Sequence, residues 1–455
     1  MRLPGPSPFG VLRYFPEARR GLLAPLEAIV RDWGDVVRIP FPGDPVYFFR
    51  SPEHIRSFLQ ENDGHYRRSY DDLKRFMGDG LITSDGSSWR KQRKVIAPMF
   101  HGPVVAGFFE QMTEESERLA NRLKTTADSS GKISFDVEEE MLDVTLRIVT
   151  RCLISNDLDA TGRRISELMT LMMEHIVARL RSPWRIPFTW PTPGLRRFER
   201  ALRELDQVIY RLIDARVEAW KSRSESDGRD LLDLLLASKD AETGEPLSRK
   251  MVRDEVVTFI LAGHETTAHA LTWALDLLAS HPAEAQRLQT ELRHVDLRSA
   301  STLMKLPVLN QVYREALRLY PPVWYIERVS TQAHQIGEYD IPEGVRVAVS
   351  PYLTHRDPKL WKNPDSFDPS RFDGSTERQS EIPESRWAWI PYGAGPRSCV
   401  GQPMAVMQFQ TVVARLLQEF TLETEGGKEK GDASRINPLI TIRPRKPIRL
   451  ILTPK

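Results

Sequence analysis

Apolar residues recur at helical spacing along most of this chain. Phe108 to Lys124, Glu138 to Ile154, Thr161 to Leu180 and Leu195 to Trp220 each return an apolar side chain every three or four positions, which predicts amphipathic helices. Lys250 to Ser280 is the longest continuous helical stretch and is different in kind. Val256, Val257, Phe259, Ile260, Leu261 and Ala262 make its middle apolar on nearly every side, the mark of a central, buried helix. Lys305 to Tyr320 predicts another helix, stopped by Pro321 and Pro322, and Pro403 to Phe420 a last long one. Strand signals are few. "VVRIPFPGDPVYFF", Val36 to Phe49, predicts a strand pair around a Pro-Gly-Asp turn, and short strands are expected at Arg346 to Val349, Thr421 to Thr424 and Ile448 to Leu452. The prolines of "SPWRIPFTWPTPG", Ser182 to Gly194, force a non-helical connection, where Trp184 and Trp190 read as packing residues. Nothing repeats, and nothing alternates strand with helix as a doubly wound sheet requires. The pattern predicts a mainly α chain with small β-sheets, and 455 residues are long for one compact domain while leaving a single large one open.

Composition narrows the partners. A net charge of +2 argues against a general nucleic-acid binder. Two cysteines, Cys152 and Cys399, exclude a disulfide framework and suit a reducing compartment. The first twenty residues hold no apolar run of signal-peptide or transmembrane length, so a cytoplasmic protein without a membrane anchor is expected.

Two stretches carry candidate chemistry. "LAGHETTAHA", Leu261 to Ala270, nearly spells a zinc-protease helix, but its histidines, His264 and His269, stand five residues apart rather than four. At ~100° per residue they diverge by roughly 140°, too far to grip one ion. The second stretch is "YGAGPRSCVGQPM", Tyr392 to Met404. It sets Cys399 in a glycine-rich loop just before a helix. Gly393, Gly395 and Gly401 permit tight turns and close approach of a flat ligand. Pro403 suits a first helical turn. The helix N-terminus and Arg397 favour thiolate over thiol. The loop alone leaves Cys399 open to three readings: a buried small hydrophobe, a nucleophile needing a histidine partner, or an axial ligand to haem iron.

The loop "YGAGPRSCVG" resembles the cysteine loop of the cytochrome P-450 haem-thiolate monooxygenases, with Tyr392 where that family normally has phenylalanine. Three further stretches match in family order. "EALR", Glu315 to Arg318, resembles the E-x-x-R element, whose third member would be Arg371 of "FDPSRF", with Ser370 in place of the usual glutamate. "DGSSWRKQR", Asp85 to Arg93, resembles the W-x-x-x-R helix, with Trp89 and Arg93 on one face. "AGHETT", Ala262 to Thr267, resembles the A-G-x-[D/E]-T-T element, small at Ala262 and Gly263 so that a macrocycle can come close.

The resemblance implies a soluble, bacterial-type member binding haem b, iron protoporphyrin IX, between the central helix and the cysteine loop. Cys399 would be the iron ligand, and Tyr392 and Gly401 would shape the loop. Trp89, Arg93, Arg397 and Arg328 would hold the haem carboxylates, and Glu265 and Thr266 would deliver protons during dioxygen cleavage. The implied reaction inserts one oxygen atom from O2 into a hydrophobic small molecule such as a fatty acid or terpenoid. Electrons would come from NAD(P)H through a separate ferredoxin or flavodoxin with its reductase, since little chain follows the last helix. A monomer is expected. Arg90, Lys91 and Lys94 are a candidate docking patch for an acidic partner. Leu73, Phe76, Met77, Phe259, Val323, Trp324 and Tyr325 are the expected pocket walls. A peroxygenase or isomerase on the same fold, a haem electron carrier or sensor, and a cysteine hydrolase are the alternatives.

Overall fold

A computed structural model describes every residue except 2, 20, 41–44, 155–158, 182–189, 191, 221–229, 240–242, 376–384 and 426–434. The Pro-Gly-Asp turn and Trp184 lie outside the described residues; Trp190 is exposed. The long helices stand where the apolar spacing puts them, with ends shifted by a residue or two. They are Phe109–Lys124, Val137–Ile154, Asp159–Arg181, Pro193–Trp220, Arg249–Ser280, Pro307–Leu319 and Gln402–Glu419. End chemistry explains several boundaries. Glu138, Glu139 and Glu140 fill the first turn of one helix, favourable beside its positive dipole end. Pro307 opens another at a position needing no N–H, and Pro321 and Pro322 prevent its continuation.

The chain divides into two compact units. The first comprises Met1–Ser69, Met112–Leu142 and Thr266–Lys455. It holds a five-stranded sheet in the order Val36–Ile39, Val46–Phe49, Arg346–Val349, Ile326–Ser330, Tyr66–Arg68. All neighbours are antiparallel except Val46–Phe49 beside Arg346–Val349. A three-stranded sheet places Arg449–Pro454 between Ile133–Asp136 and Phe420–Thr424. Phe49, Ile55, Phe58, Val347 and Ile390 belong to the apolar cluster under the larger sheet. The second unit, Tyr70–Gln111 and Asp143–Glu265, is built from helices, including Asp71–Met77 and Gly86–Ile96.

The central helix, Arg249–Ser280, supplies residues to both units. Val252 to Ile260 and Thr267 to Ala279 are buried without a break, Arg253, Asp254, Glu255, His269 and Asp276 among them. Between them, Leu261 to Thr266 are all partly exposed. No described helix is long and apolar enough to cross a membrane.

Candidate active site

The cysteine loop is shaped by backbone hydrogen bonds and two glycines. Gly393 N–H donates to Ile390 O at 3.0 Å, Ser398 N–H to Gly395 O at 3.1 Å, and Cys399 N–H to Tyr392 O at 2.9 Å. Gly393 and Gly395 have φ of 64° and 71°, the left-handed region that favours glycine. A Cβ on Gly395 would lie 2.1 Å from Leu59 O, so that residue is doubly constrained. Gly401 differs from the expectation. It is the N-cap of Gln402–Glu419 with φ −81°, a torsion open to any residue, and no left-handed turn explains it. Cys399 is exposed three residues before that helix, whereas Cys152 is buried.

The helix Pro307–Leu319 braces the loop at several points. The Tyr392 and Tyr313 hydroxyls hydrogen-bond to one another, so the hydroxyl that replaces the usual phenylalanine hydrogen is tied to this helix. Burial, above all, and the neighbouring Cys399 raise both pKa values; Tyr392 raises that of Tyr313 further, while the hydrogen bond to Tyr313 offsets part of the rise at Tyr392, and both remain phenols. Trp389 Nε1–H donates to Arg314 O at 3.3 Å. His355 is a bridge. Its Nδ1 lies 3.2 Å from Arg318 O, and its Nε2 accepts from Ile390 N–H at 2.8 Å. A carbonyl can only accept and an amide N–H only donate, so His355 is neutral with the proton on Nδ1. Burial holds its pKa down at about 3.

Glu315, Arg318 and Arg371 meet as the spacing predicts. Arg318 Nε and Nη2 donate to the two Glu315 oxygens at 2.7 and 2.9 Å, and Arg371 Nε donates to Glu315 Oε1 at 3.2 Å. Arg318 also reaches His355 O, Pro364 O and Ser366 O, and Arg371 reaches Lys362 O. All three side chains are fully or almost fully buried. Ser370 hydrogen-bonds to Asp368 instead of joining the cluster.

Arg328 and Arg397 also converge, on a residue the sequence did not single out. Arg328 Nη1 donates to Asp63 Oδ1 at 2.7 Å, and Arg397 Nε lies 3.6 Å from the same oxygen. Both arginines are buried. The 265-residue separation of Asp63 from Arg328 left no local signal.

In the helical unit, Trp89 and Arg93 lie one turn apart on Gly86–Ile96, Trp89 buried and Arg93 partly so. Arg90 and Lys94 are exposed on the same helix. Ala262, Gly263 and Glu265 lie in the partly exposed turn of the central helix, which continues through Thr266. Gly263 has a packing reason of its own: a Cβ there would stand 3.0 Å from Val149 Cγ2. Glu255, two to three turns earlier, was missed. It is fully buried, accepts from Leu81 N–H at 3.2 Å, and burial pushes its pKa up to about 8. Asp254 beside it accepts from Asp79 N–H at 2.9 Å, so neighbouring acids fasten the segment leading to the Trp89 helix.

Zinc finds no support. His269 is buried, its Nε2 3.0 Å from Glu138 Oε1 and its Nδ1 3.0 Å from Thr441 Oγ1. Among the described residues no group of three His, Cys, Asp or Glu side chains can hold a metal ion. Of the expected pocket walls, Phe76 and Met77 are wholly buried and meet no water-accessible space, and Phe259 packs edge-on against Phe100. Leu73 and Tyr325 are partly exposed and Val323 is exposed.

An iron porphyrin fits the chemistry present. One exposed thiol stands three residues before a helix, and two buried guanidinium groups, one of them two residues before that thiol, share an acid. The family model described as Cytochrome P450 matches residues 3–452. Cyclooctatin synthase of Streptomyces melanosporofaciens is 34% identical over 394 residues, 84% of this chain and 82% of that protein. Cyclooctat-9-en-7-ol 5-monooxygenase of the same organism is 31% identical over 400 residues, covering 87% and 84%. The crystal structure of the cytochrome P450DA heme domain superposes with a TM-score of 0.84 at 24% identity, over 100% of this chain and 97% of that one, and shows the same fold. A match that runs from the third residue to within three of the last, with relatives that follow it over most of their own length, leaves one conclusion: the chain belongs to the cytochrome P450 family.

Proposed function

We propose that this haem-thiolate monooxygenase places one atom of O2 into an apolar small molecule, a terpenoid or fatty acid, using electrons from NAD(P)H delivered by a separate ferredoxin or flavodoxin and its reductase. The supporting observation is the partly exposed turn Leu261–Thr266, which sets an acid and an alcohol side by side between two buried stretches of the central helix. The two relatives named above support the substrate class, one being named for its action on an unsaturated alcohol.

The haem, when bound, supplies the activation of dioxygen. The chain's residues do the rest. Cys399 Sγ, favoured as thiolate by the helix N-terminus, is the metal ligand. Arg328 and Arg397, with Trp89 and Arg93, hold the haem carboxylates through charge-assisted hydrogen bonds. The Thr266 hydroxyl hands over a proton, and the Glu265 carboxyl replaces it from solvent. Arg90 and Lys94, exposed beside Trp89, offer positive charge to an acidic redox partner.

The test is spectroscopic. The reduced protein under carbon monoxide should show the long-wavelength Soret band of sulfur ligation, and Cys399→Ser should abolish it. Thr266→Ala should keep the band and lower product formed per NAD(P)H consumed. An unaltered band in Cys399→Ser refutes the ligand assignment, and unchanged coupling in Thr266→Ala refutes the proton route.

A further inference from the structure

We propose that Asp63 is a positioning residue for the haem: it holds Arg328 and Arg397 together at one point and in one direction. The proposal rests on the reading of those two arginines as the cations that grip the haem carboxylates.

Asp63 begins a single turn, Asp63–His65, between Ser57–Glu61 and the strand Tyr66–Arg68. Both sides of that turn are pinned by main chain. After it, Tyr66–Arg68 pairs with Ile326–Ser330, with Arg68 opposite Arg328. Before it, the cysteine loop rests on the same segment, close enough that a Cβ on Gly395 would collide with Leu59 O. The carboxylate therefore stands between a strand and the cysteine loop without choosing its own place. Arg328 comes to it from the strand and Arg397 from the loop, two residues before Cys399. The Arg328 guanidinium also lies 5.4 Å from the centre of the Phe58 ring, on the same segment.

Two buried guanidinium groups at one point repel unless an anion stands between them. Asp63 supplies that anion, at 13% side-chain exposure. Fixing both cations before the ligand arrives removes the entropy cost of ordering them afterwards. A negative charge here also lowers the potential felt at the thiolate end of the loop.

The test compares haem-loaded wild-type protein with Asp63→Asn, which keeps shape and loses charge, and Asp63→Glu, which keeps charge. Haem transfer to excess apomyoglobin and the iron reduction potential are measured for each. Asp63→Asn should release haem about tenfold faster, the loss expected when one charge-assisted contact goes, and its potential should rise. Asp63→Glu should stay within about twofold of wild type. If Asp63→Asn does not fold, Asp63→Gln against Asp63→Glu makes the same comparison at equal size. A merely structural role predicts that shape-changing variants release haem alike with unmoved potentials, and that result overturns the proposal. Arg397→Ala separates the two levels. If it speeds haem release while Asp63→Asn does not, Asp63 is excluded and the arginine reading stands. If Arg397→Ala releases haem at the wild-type rate, the arginine reading itself fails.

Discussion

Two acids of the first unit, Glu315 and Asp63, each face two buried arginines, in contrasting settings. Around Glu315 both carboxylate oxygens are used by Arg318, Arg371 joins one of them, and the guanidinium groups spend further N–H donors on main-chain carbonyls. Solvent reaches almost none of it. Around Asp63 one oxygen serves both arginines, at 2.7 and 3.6 Å, and the acid keeps some exposure. The first arrangement is closed. Its donors are directed at fixed backbone, so its product is rigidity in the region bracing the cysteine loop. The second is looser and lies at the loop itself. A fold and a ligand site need different things from the same residues: the fold needs every donor matched, and the site needs charge held ready.

The largest expected effect comes from opening the closed cluster. Glu315→Ala leaves two buried guanidinium groups without their acid and should cost about 3–5 kcal/mol, enough to prevent accumulation of haem-loaded protein. Soluble yield and chemical denaturation measure this. Glu315→Ala protein as stable as Asp63→Asn protein would erase the distinction between the clusters.

A smaller effect is expected where the loop meets the bracing helix. Tyr392→Phe strands the buried Tyr313 hydroxyl and should cost about 1–3 kcal/mol. Adding Tyr313→Phe should recover part of that loss, because neither hydroxyl then remains to be satisfied. Thermal denaturation of both variants decides it; a double variant less stable than Tyr392→Phe would mean that the pair is not the anchor.

The smallest effect is a slope. His355 is held neutral at a pKa near 3, below its unfolded value of about 6.5. As pH falls through that window the unfolded chain takes up a proton that the folded one refuses, and stability declines by at most about 1.4 kcal/mol per unit from this group. Above the unfolded pKa the contribution is complete. His355→Gln, which still offers a donor and an acceptor, should flatten the acid limb of a stability–pH curve between those two values. An unchanged limb would show that the bridge between Arg318 and Ile390 is not proton-linked.

Much of this was legible without coordinates. Helix positions follow from apolar spacing, a local property, and their ends from proline and acidic caps, so Arg249–Ser280 and Pro307–Leu319 lie within a residue or two of expectation. Glu315 and Arg318 were visible because three residues on a helix is one turn, and Cys399 because glycines and a following helix mark its loop. Gly401 and Gly263 show what stays open, since a glycine in a sequence does not say whether torsion, a neighbour or a ligand requires it.

The sequence by itself determined where the long helices run, that the middle of one of them is largely apolar, and which side chains are candidates for chemistry. Only the tertiary structure decided that Asp63 joins Arg328 to Arg397, that His355 carries its proton on Nδ1, that Tyr392 is tied to Tyr313, and that Glu255 is dry enough to resist ionisation. The reason is range. Periodicity, caps and turns act over a few residues, whereas the partner that fixes a buried charge can be anywhere along the chain, and desolvation exists only once the chain has closed around it.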